Sequence, residues 1–220
     1  MGPFCRVQAV LFDLDGTLLD SLKDLADSMN AVLRKRGFPA HPEDAYRIFV
    51  GEGMELLVQR ALPEGNRSGS LLEECILDMR EEYGRRWDRT TRPYPGIPDL
   101  LDALGARSVP IAVLSNKPND FTRACVARLL PRWSFSAVLG AGEEVPRKPD
   151  PAGAVAIAAR FGVPREAVLF LGDGPTDVLA AMAAGMIPVG ALWGFRSEDE
   201  LRAAGARLLL HHPLELLSLL

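Results

Sequence analysis

The sequence predicts an α/β protein: an open parallel sheet with helical crossovers, interrupted after its first strand by an all-helical insertion. Short, nearly all-apolar runs end abruptly in polar tips, the pattern of strands buried on both faces. Beyond Pro95-Gly96 these runs alternate with helical stretches, which requires parallel pairing. Between the first run and that alternating part, apolar residues recur only at helical spacing.

The first strand is Val7 to Phe12, closed by Asp13-Leu14-Asp15-Gly16-Thr17. From Ser21, the stripe Leu22, Leu25, Ala26, Met29, Val32, Leu33 predicts an amphipathic helix stopped by Gly37. Pro42 opens a short helix to about Phe49; Gly51-Glu52-Gly53 breaks it, and helical spacing resumes from Met54 to Leu62. After a loop from Pro63 to Gly69, the residues Leu72, Cys75, Ile76, Met79, Tyr83 and Trp87 form one long stripe, read as core. The remaining strands are Ile111 to Leu114, Ala137 to Leu139, Val168 to Leu171, Ile187 to Leu192 and a last one at Arg207 to Leu210. Helices are expected near Ile97 to Arg107, Phe121 to Leu130, Pro151 to Phe161, Asp177 to Ala184 and Glu198 to Ala204. A lone first strand could not satisfy its backbone, so it must join this sheet. The expected organisation is a Rossmann-like open parallel sheet core, residues 1–19 and 92–220, with a helical subdomain, 20–91, inserted.

Composition narrows the function. With 25 basic and 29 acidic side chains among 220 residues the net charge is −4, which argues against a nucleic-acid partner. The runs Arg34-Lys35-Arg36 and Arg85-Arg86 read as wet helix faces. Apolar stretches are short or broken by Pro110 and Pro188, far below the roughly 18 residues of a membrane span. The N-terminus lacks a charged start and cleavage site, and Arg6 sits where myristoylation wants Ser or Thr. Cys5, Cys75 and Cys125 are widely spaced and odd in number, so neither a disulfide framework nor a thiolate metal site is expected. The expected setting is cytoplasmic, which also makes Asn66-Arg67-Ser68 a plain polar loop. His41, His211 and His212 stand in proline-flanked loops away from the polar tips. Gly140-Ala141-Gly142 lacks the third glycine of a dinucleotide loop.

Chemistry gathers at three strand ends: Asp13-Leu14-Asp15-Gly16-Thr17, Ser115-Asn116-Lys117 and Gly172-Asp173-Gly174-Pro175-Thr176-Asp177. Open parallel sheets bind ligands at the carboxyl ends of their strands, so tips distant in sequence converge. A fourth segment, Arg147-Lys148-Pro149-Asp150-Pro151, sets a lysine ahead of a proline-started helix. Asp13, Asp15, Asp173 and Asp177 together would repel strongly unless a hard cation neutralised part of their charge, and Mg²⁺ prefers such oxygens. Lys148, the Ser115 hydroxyl and the N–H groups of Gly16, Thr17 and Asn116 are donors for a multiply charged anion, best read as phosphate.

In this order and position the four segments resemble the haloacid dehalogenase superfamily, phosphatase branch, over nearly the whole chain. The resemblance implies that Asp13 is the nucleophile, forming an aspartyl-phosphate, and that Asp15 protonates the leaving alcohol and then activates water. It implies Mg²⁺ held by the Asp13 carboxylate, the Asp15 backbone carbonyl and Asp173, with Asp177 as ligand or support, while Ser115 and Lys148 hold phosphoryl oxygens. One departure is Gly174, where the pattern has Ser or Thr; weaker Mg²⁺ affinity is expected.

The insert resembles the cap of that superfamily. Within it, Phe49-Val50-Gly51-Glu52-Gly53 and Leu57-Val58-Gln59-Arg60-Ala61-Leu62 are similar to phosphoglycolate phosphatases, as are Tyr94-Pro95-Gly96 and Ser115-Asn116-Lys117-Pro118. Gly51 and Gly53 are the cap's specificity candidates, their small size admitting a ligand and their N–H groups meeting its carboxylate. Hinges are expected near Leu18 to Ser21 and Thr91 to Gly96. The reading is a phosphatase of a small phosphorylated metabolite, as monomer or homodimer. The alternatives are a sugar phosphomutase, disfavoured by the absence of histidine between Asp13 and Pro39, and a non-catalytic binder, for which Asp15 would be superfluous.

Overall fold

Parallel strands buried on both faces account for the centre of the molecule. A computed structural model describes residues 7–220; the expectations for the N-terminal leader and Cys5 lie outside them. Strands β1 (Ala9–Phe12), β4 (Ile111–Pro118), β5 (Val138–Ala141), β6 (Val168–Gly172), β7 (Ile187–Ala191) and β8 (Leu208–Leu210) form one six-stranded sheet in the order β5-β4-β1-β6-β7-β8. Every pairing in it is parallel. The chain thus winds outward from β1 in one direction and, after β5, returns to the other side, leaving a crevice beside β1 where ligands bind in doubly wound folds.

Register brings the polar tips level. Phe12 pairs with Val113 on one side and Leu171 on the other, so Asp13, Ser115 and Asp173 leave the same edge within two residues of one row. Helices α5 (Ile97–Ala106), α6 (Asn119–Leu129), α7 (Ala152–Phe161), α8 (Pro175–Ala184) and α9 (Glu198–Ala203) run between the strands of this half. The apolar residues of the sheet divide into two clusters, one containing Val10, Phe12 and Leu100, the other Leu11, Ile157 and Phe170. Alternate residues of β1 thus serve opposite faces.

The inserted helices are α1 (Leu22–Lys35), α2 (Tyr46–Phe49), α3 (Met54–Ala61) and α4 (Gly69–Gly84), and they bury a separate cluster centred on Met29, Leu33, Val58 and Met79. The two connections to the sheet half pair as an antiparallel ribbon, β2 (Leu19–Asp20) with β3 (Arg92–Pro93), an element the helical periodicity of 20–91 does not reveal. Just inside it the buried Asp24 carboxylate accepts from the backbone N–H and hydroxyl groups of both Thr90 and Thr91, tying the outgoing helix to the returning chain.

Other differences from expectation have local causes. Helix α4 stops at Gly84, so Trp87 lies beyond it in a turn. The run Arg34-Lys35-Arg36 is more than a wet face: Lys35 and Arg36 both bridge to Asp78 at 2.6 Å, and Arg36 to Glu74, joining α1 to α4. The C-terminal Pro213–Leu219 forms a 3-10 helix whose Leu216 is buried in the sheet cluster. Cys75 and Cys125 are free and buried, and no described helix is long and apolar enough to cross a membrane.

Candidate active site

Strand β1 ends at Phe12, and Asp13 follows it into the crevice with 7% of its surface exposed. Across the sheet Asp173 and Asp177 are each 3% exposed, and the three carboxylates offer oxygens lying within 4.8 Å of one another. Lys148 reaches the same point: its ammonium donates to Asp13 Oδ1 at 2.5 Å, to Asp177 Oδ1 at 2.6 Å and to the Leu114 carbonyl at 3.0 Å. All three of its donors are thereby used.

Three buried acids facing one lysine leave the cluster short of positive charge. Burial pushes the Asp13 carboxyl well above its ordinary range; Lys148 opposes this, while Asp177 and Asp173 add to it. Burial, with help from Asp177, pushes Asp173 up to about 7. Burial works against the Lys148 charge too, but Asp13 and Asp177 outweigh it and hold the ammonium above its usual value. An all-oxygen, under-neutralised group of this span fits a small hard cation, which binds oxygens at about 2.0–2.1 Å.

Around the acids the packing is tight. Asp173 accepts from Thr17 Oγ1 at 3.0 Å and from the Phe195 N–H at 2.8 Å. Gly16 has φ +89°, and a Cβ there would fall 2.3 Å from an Asp173 oxygen; at Gly194 it would fall 2.2 Å from Asp173 Cβ. The loop Trp193-Gly194-Phe195 therefore completes the cradle, with Trp193 Nε1 donating to the Thr17 carbonyl at 3.0 Å. Asp177 accepts the Gly174 N–H at 3.0 Å from the third residue of α8, so it supports the helix start from inside the first turn rather than as its N-cap.

Two expected anion donors are corrected by this geometry. The Gly16 N–H is spent on the Leu19 carbonyl at 2.9 Å, and the Thr17 N–H points to the Leu14 carbonyl at 3.4 Å. The turn that brings Asp15 round consumes them, so these residues build the Asp173 cradle rather than a phosphate nest. Asn116 is also used structurally: its Oδ1 accepts the Lys148 N–H at 2.7 Å, and its Nδ2 donates to the carbonyls of Lys148 and Gly51. Ser115 accepts the Lys117 N–H at 3.3 Å, which leaves its own hydroxyl hydrogen to donate.

On the other side of Asp13 lies a second charged group. Asp15 stands apart from the three acids; Lys117 Nζ contacts both its oxygens, at 2.8 and 2.7 Å, and Ser21 Oγ donates at 2.6 Å. Lys117 is 7% exposed, and although burial works against its charge, Asp15 holds the ammonium above its ordinary value. Sequence reasoning did not single out Lys117; its only signal was its place at a strand tip, since β4 runs on to Pro118 past an irregularity after Ser115.

A small cavity joins Asp13, Asp15, Ser115, Asn116 and Lys117 to Gly51, Gly53, Met54, Leu57 and Tyr83 of the cap, with about 40 Å³ open to the centres of water molecules. Gly51 and Gly53 both have positive φ, and a Cβ at Gly53 would meet Arg147 Nε at 2.8 Å, so this glycine also lets a core side chain pass. The cap is shut on the sheet half through Arg47 to the Gly194 carbonyl, Arg196 to the Val50 carbonyl, Asn116 to Gly51 and the Arg147–Glu55 ion pair.

Fold and site together define a capped hydrolase with an acid cluster at a sheet crevice. Residues 7–185 match the haloacid dehalogenase-like hydrolase family, and the chain belongs to it. Within that family it is phosphoglycolate phosphatase-like, a phosphoric monoester hydrolase by class. It is 32% identical to the phosphoglycolate phosphatase of Photorhabdus laumondii over 96% of this chain and 92% of that protein. The phosphoglycolate phosphatase of Haemophilus influenzae is 33% identical over 95% and 96%. A crystal structure from Lactobacillus delbrueckii subsp. bulgaricus superposes with a TM-score of 0.91 at 28% identity, covering 96% of this chain and 97% of its own.

Proposed function

We propose that the protein is a Mg²⁺-dependent phosphatase of small phosphate monoesters, with phosphoglycolate as the first candidate substrate, acting through an aspartyl-phosphate. The observation that carries this reading is the placement of Asp13 between two groups of opposite balance, the under-neutralised Asp173–Asp177–Lys148 cluster and the neutral Asp15–Lys117 pair.

An Asp13 carboxylate oxygen attacks phosphorus, the ester oxygen departs with its bonding electrons, and Asp15, entering this step protonated and with its pairing to Lys117 loosened, gives that oxygen a proton. Water then attacks the aspartyl-phosphate, Asp15 takes up a proton from it, and inorganic phosphate leaves with Asp13 restored. Ser115 donates to a phosphoryl oxygen as charge builds on it, and Lys148 does so by turning one donor from Asp13, whose carboxylate charge is spent on the bond to phosphorus. Asp13, Asp173 and Asp177, with the Asp15 backbone carbonyl, would hold Mg²⁺, which supplies charge neutralisation for the phosphoryl group when bound. The closed cap excludes bulk water from the ester, and residues 20–91 act as the cap over a core of 1–19 and 92–220. The setting proposed is cytoplasmic.

Purified protein assayed with Mg²⁺ against phosphoglycolate, sugar phosphates, nucleoside monophosphates and pyrophosphate tests the proposal. Phosphoglycolate should be turned over fastest and only with Mg²⁺; release of phosphate no faster than from an Asp13→Asn control would refute it.

A further inference from the structure

Three consecutive residues of the loop between β7 and α9 are fastened to the cap. The Gly194 carbonyl accepts from Arg47 Nη1 at 3.0 Å, the Phe195 side chain is buried in the cap's apolar cluster, and Arg196 Nη2 donates to the Val50 carbonyl at 2.8 Å. The same loop is fastened to the sheet half. The Phe195 N–H donates to Asp173 Oδ2 at 2.8 Å, and Trp193 Nε1 donates to the Thr17 carbonyl. The Gly194 carbonyl and the Phe195 N–H belong to one peptide unit, which is planar and resists twisting. One rigid group thus takes a cap arginine at one end and a buried carboxylate of the acid cluster at the other. There is no slack on the carboxylate side, where a Cβ on Gly194 would fall 2.2 Å from Asp173 Cβ. A cationic donor on the carbonyl also polarises the N–H, so the two hydrogen bonds strengthen one another.

We infer that the Gly194–Phe195 peptide couples cap closure to cation binding, with Arg47 and Arg196 as positioning residues that act through it. The inference rests on the part of the proposed function that puts a hard cation on Asp13, Asp173 and Asp177. Asp173 has Thr17 Oγ1 on one oxygen and the Phe195 N–H on the other, so these two donors set which way its remaining lone pairs face. Thr17 lies in the sheet half, whereas the place of the Phe195 N–H is set by a loop that the cap grips. Opening the cap releases that donor and loosens one ligand; closing it fixes the ligand for the cation. Coupling of this kind is reciprocal, so a bound divalent ion that orders Asp173 favours the shut cap by the same factor. Another contact across the seam has no such route: the Arg80–Asp120 ion pair joins α4 to α6, away from this loop.

The test titrates Mn²⁺, an oxygen-seeking ion of the same charge as Mg²⁺, into substrate-free protein and reads the free ion by electron paramagnetic resonance. Wild type is compared with Arg47→Met, with the double variant Arg47→Met/Arg196→Met and with Asp120→Asn. Arg47→Met should weaken binding at least about five-fold, the lower end of the range for coupled sites, and the double variant more, while Asp120→Asn stays within about two-fold. A purely structural role for Arg47 would lower the melting temperature and leave the affinity unmoved; that result overturns the inference. An equal loss in Asp120→Asn also overturns it, by assigning the effect to closure in general. Reciprocity gives a second reading: Mg²⁺ should slow amide exchange of residues 46–53 several-fold in wild type and not in Arg47→Met. Exchange indifferent to Mg²⁺ in the wild type contradicts the coupling. Wild-type protein that binds no Mn²⁺ refutes the cation reading and the coupling with it, whereas tight binding that both arginine variants leave unchanged overturns the coupling alone.

Discussion

Two buried lysines flank Asp13, and their surroundings differ in one respect that divides the site. Lys148 faces three carboxylates and cannot balance them, whereas Lys117 faces Asp15 alone. The first group keeps an appetite for positive charge and is stiffened by Thr17, Phe195 and two close-packed glycines; the second is neutral and opens onto the cap. In the function proposed above, the excess of buried negative charge is the cation and phosphoryl side, and the satisfied pair is the leaving-group side.

The sharpest way to break this division is at its centre. Asp13→Asn should lower hydrolysis of p-nitrophenyl phosphate by at least about 1,000-fold, as loss of a covalent nucleophile does; residual turnover within ten-fold of wild type would put the nucleophile elsewhere. Removing each lysine separates the two groups. Lys117→Met strands the Asp15 carboxylate and should cost about 3–5 kcal/mol in urea unfolding, independent of Mg²⁺. Lys148→Met should destabilise comparably without metal but recover substantially when Mg²⁺ is added, because a divalent ion can neutralise the same acids. Equal Mg²⁺ responses in the two variants would erase the distinction.

A subtler expectation concerns pH. The Asp173 carboxyl is raised to about 7 against an ordinary 3.8, so the folded state binds its proton more tightly than the unfolded chain does. Its contribution to stability is therefore complete below about pH 4 and is lost as pH rises through about 7. In the absence of Mg²⁺, the melting temperature of Asp173→Asn should gain on that of wild type across this window, and saturating Mg²⁺ should flatten the trend; a gain of the opposite sign would show that the acid is not strained. The smallest effect is expected at Gly174, where an added Cβ would stand 3.3 Å from Asp177 Oδ2. Gly174→Ser should lower the Mg²⁺ concentration for half-maximal activity a few-fold, and an unchanged value would mean the missing hydroxyl is irrelevant.

The acids of both sides, Asp15 included, were readable in the sequence, whereas Lys117 and Tyr83 beside Asp15 were not, for physical reasons. Asp13 and Asp173 follow apolar strands immediately, with Asp177 in the first turn of the helix beyond, and a charge at a strand tip has few explanations other than a site. Six strands and most helices announced themselves through periodicity, mostly within a residue or two at their ends, though β4 runs four residues past the expected Leu114 to Pro118. Lys117 hides because a lysine next to a proline at the end of a strand reads as solvated, and only the packed cap makes it buried. Tyr83 shares helical spacing with Met79 and Cys75, so it reads as core; that its hydroxyl lacks a partner depends on what α6 and the cavity place around it. The fates of the Gly16 and Thr17 amides were equally hidden, since the turn that spends them is a matter of dihedral angles. The Trp193-Gly194-Phe195 loop contributes a backbone donor, which any residue type supplies, so its sequence carried no signal.

The account rests on Asp13 carrying the phosphoryl group in turnover. Rapid acid quench of the protein during phosphoglycolate hydrolysis, followed by peptide mass spectrometry, measures this directly. The mass of one phosphoryl group should appear on the peptide containing Asp13, vanish after hydroxylamine treatment and be absent from Asp13→Asn. Steady turnover with that peptide unmodified at every quench time, or with the group on another residue, would contradict it.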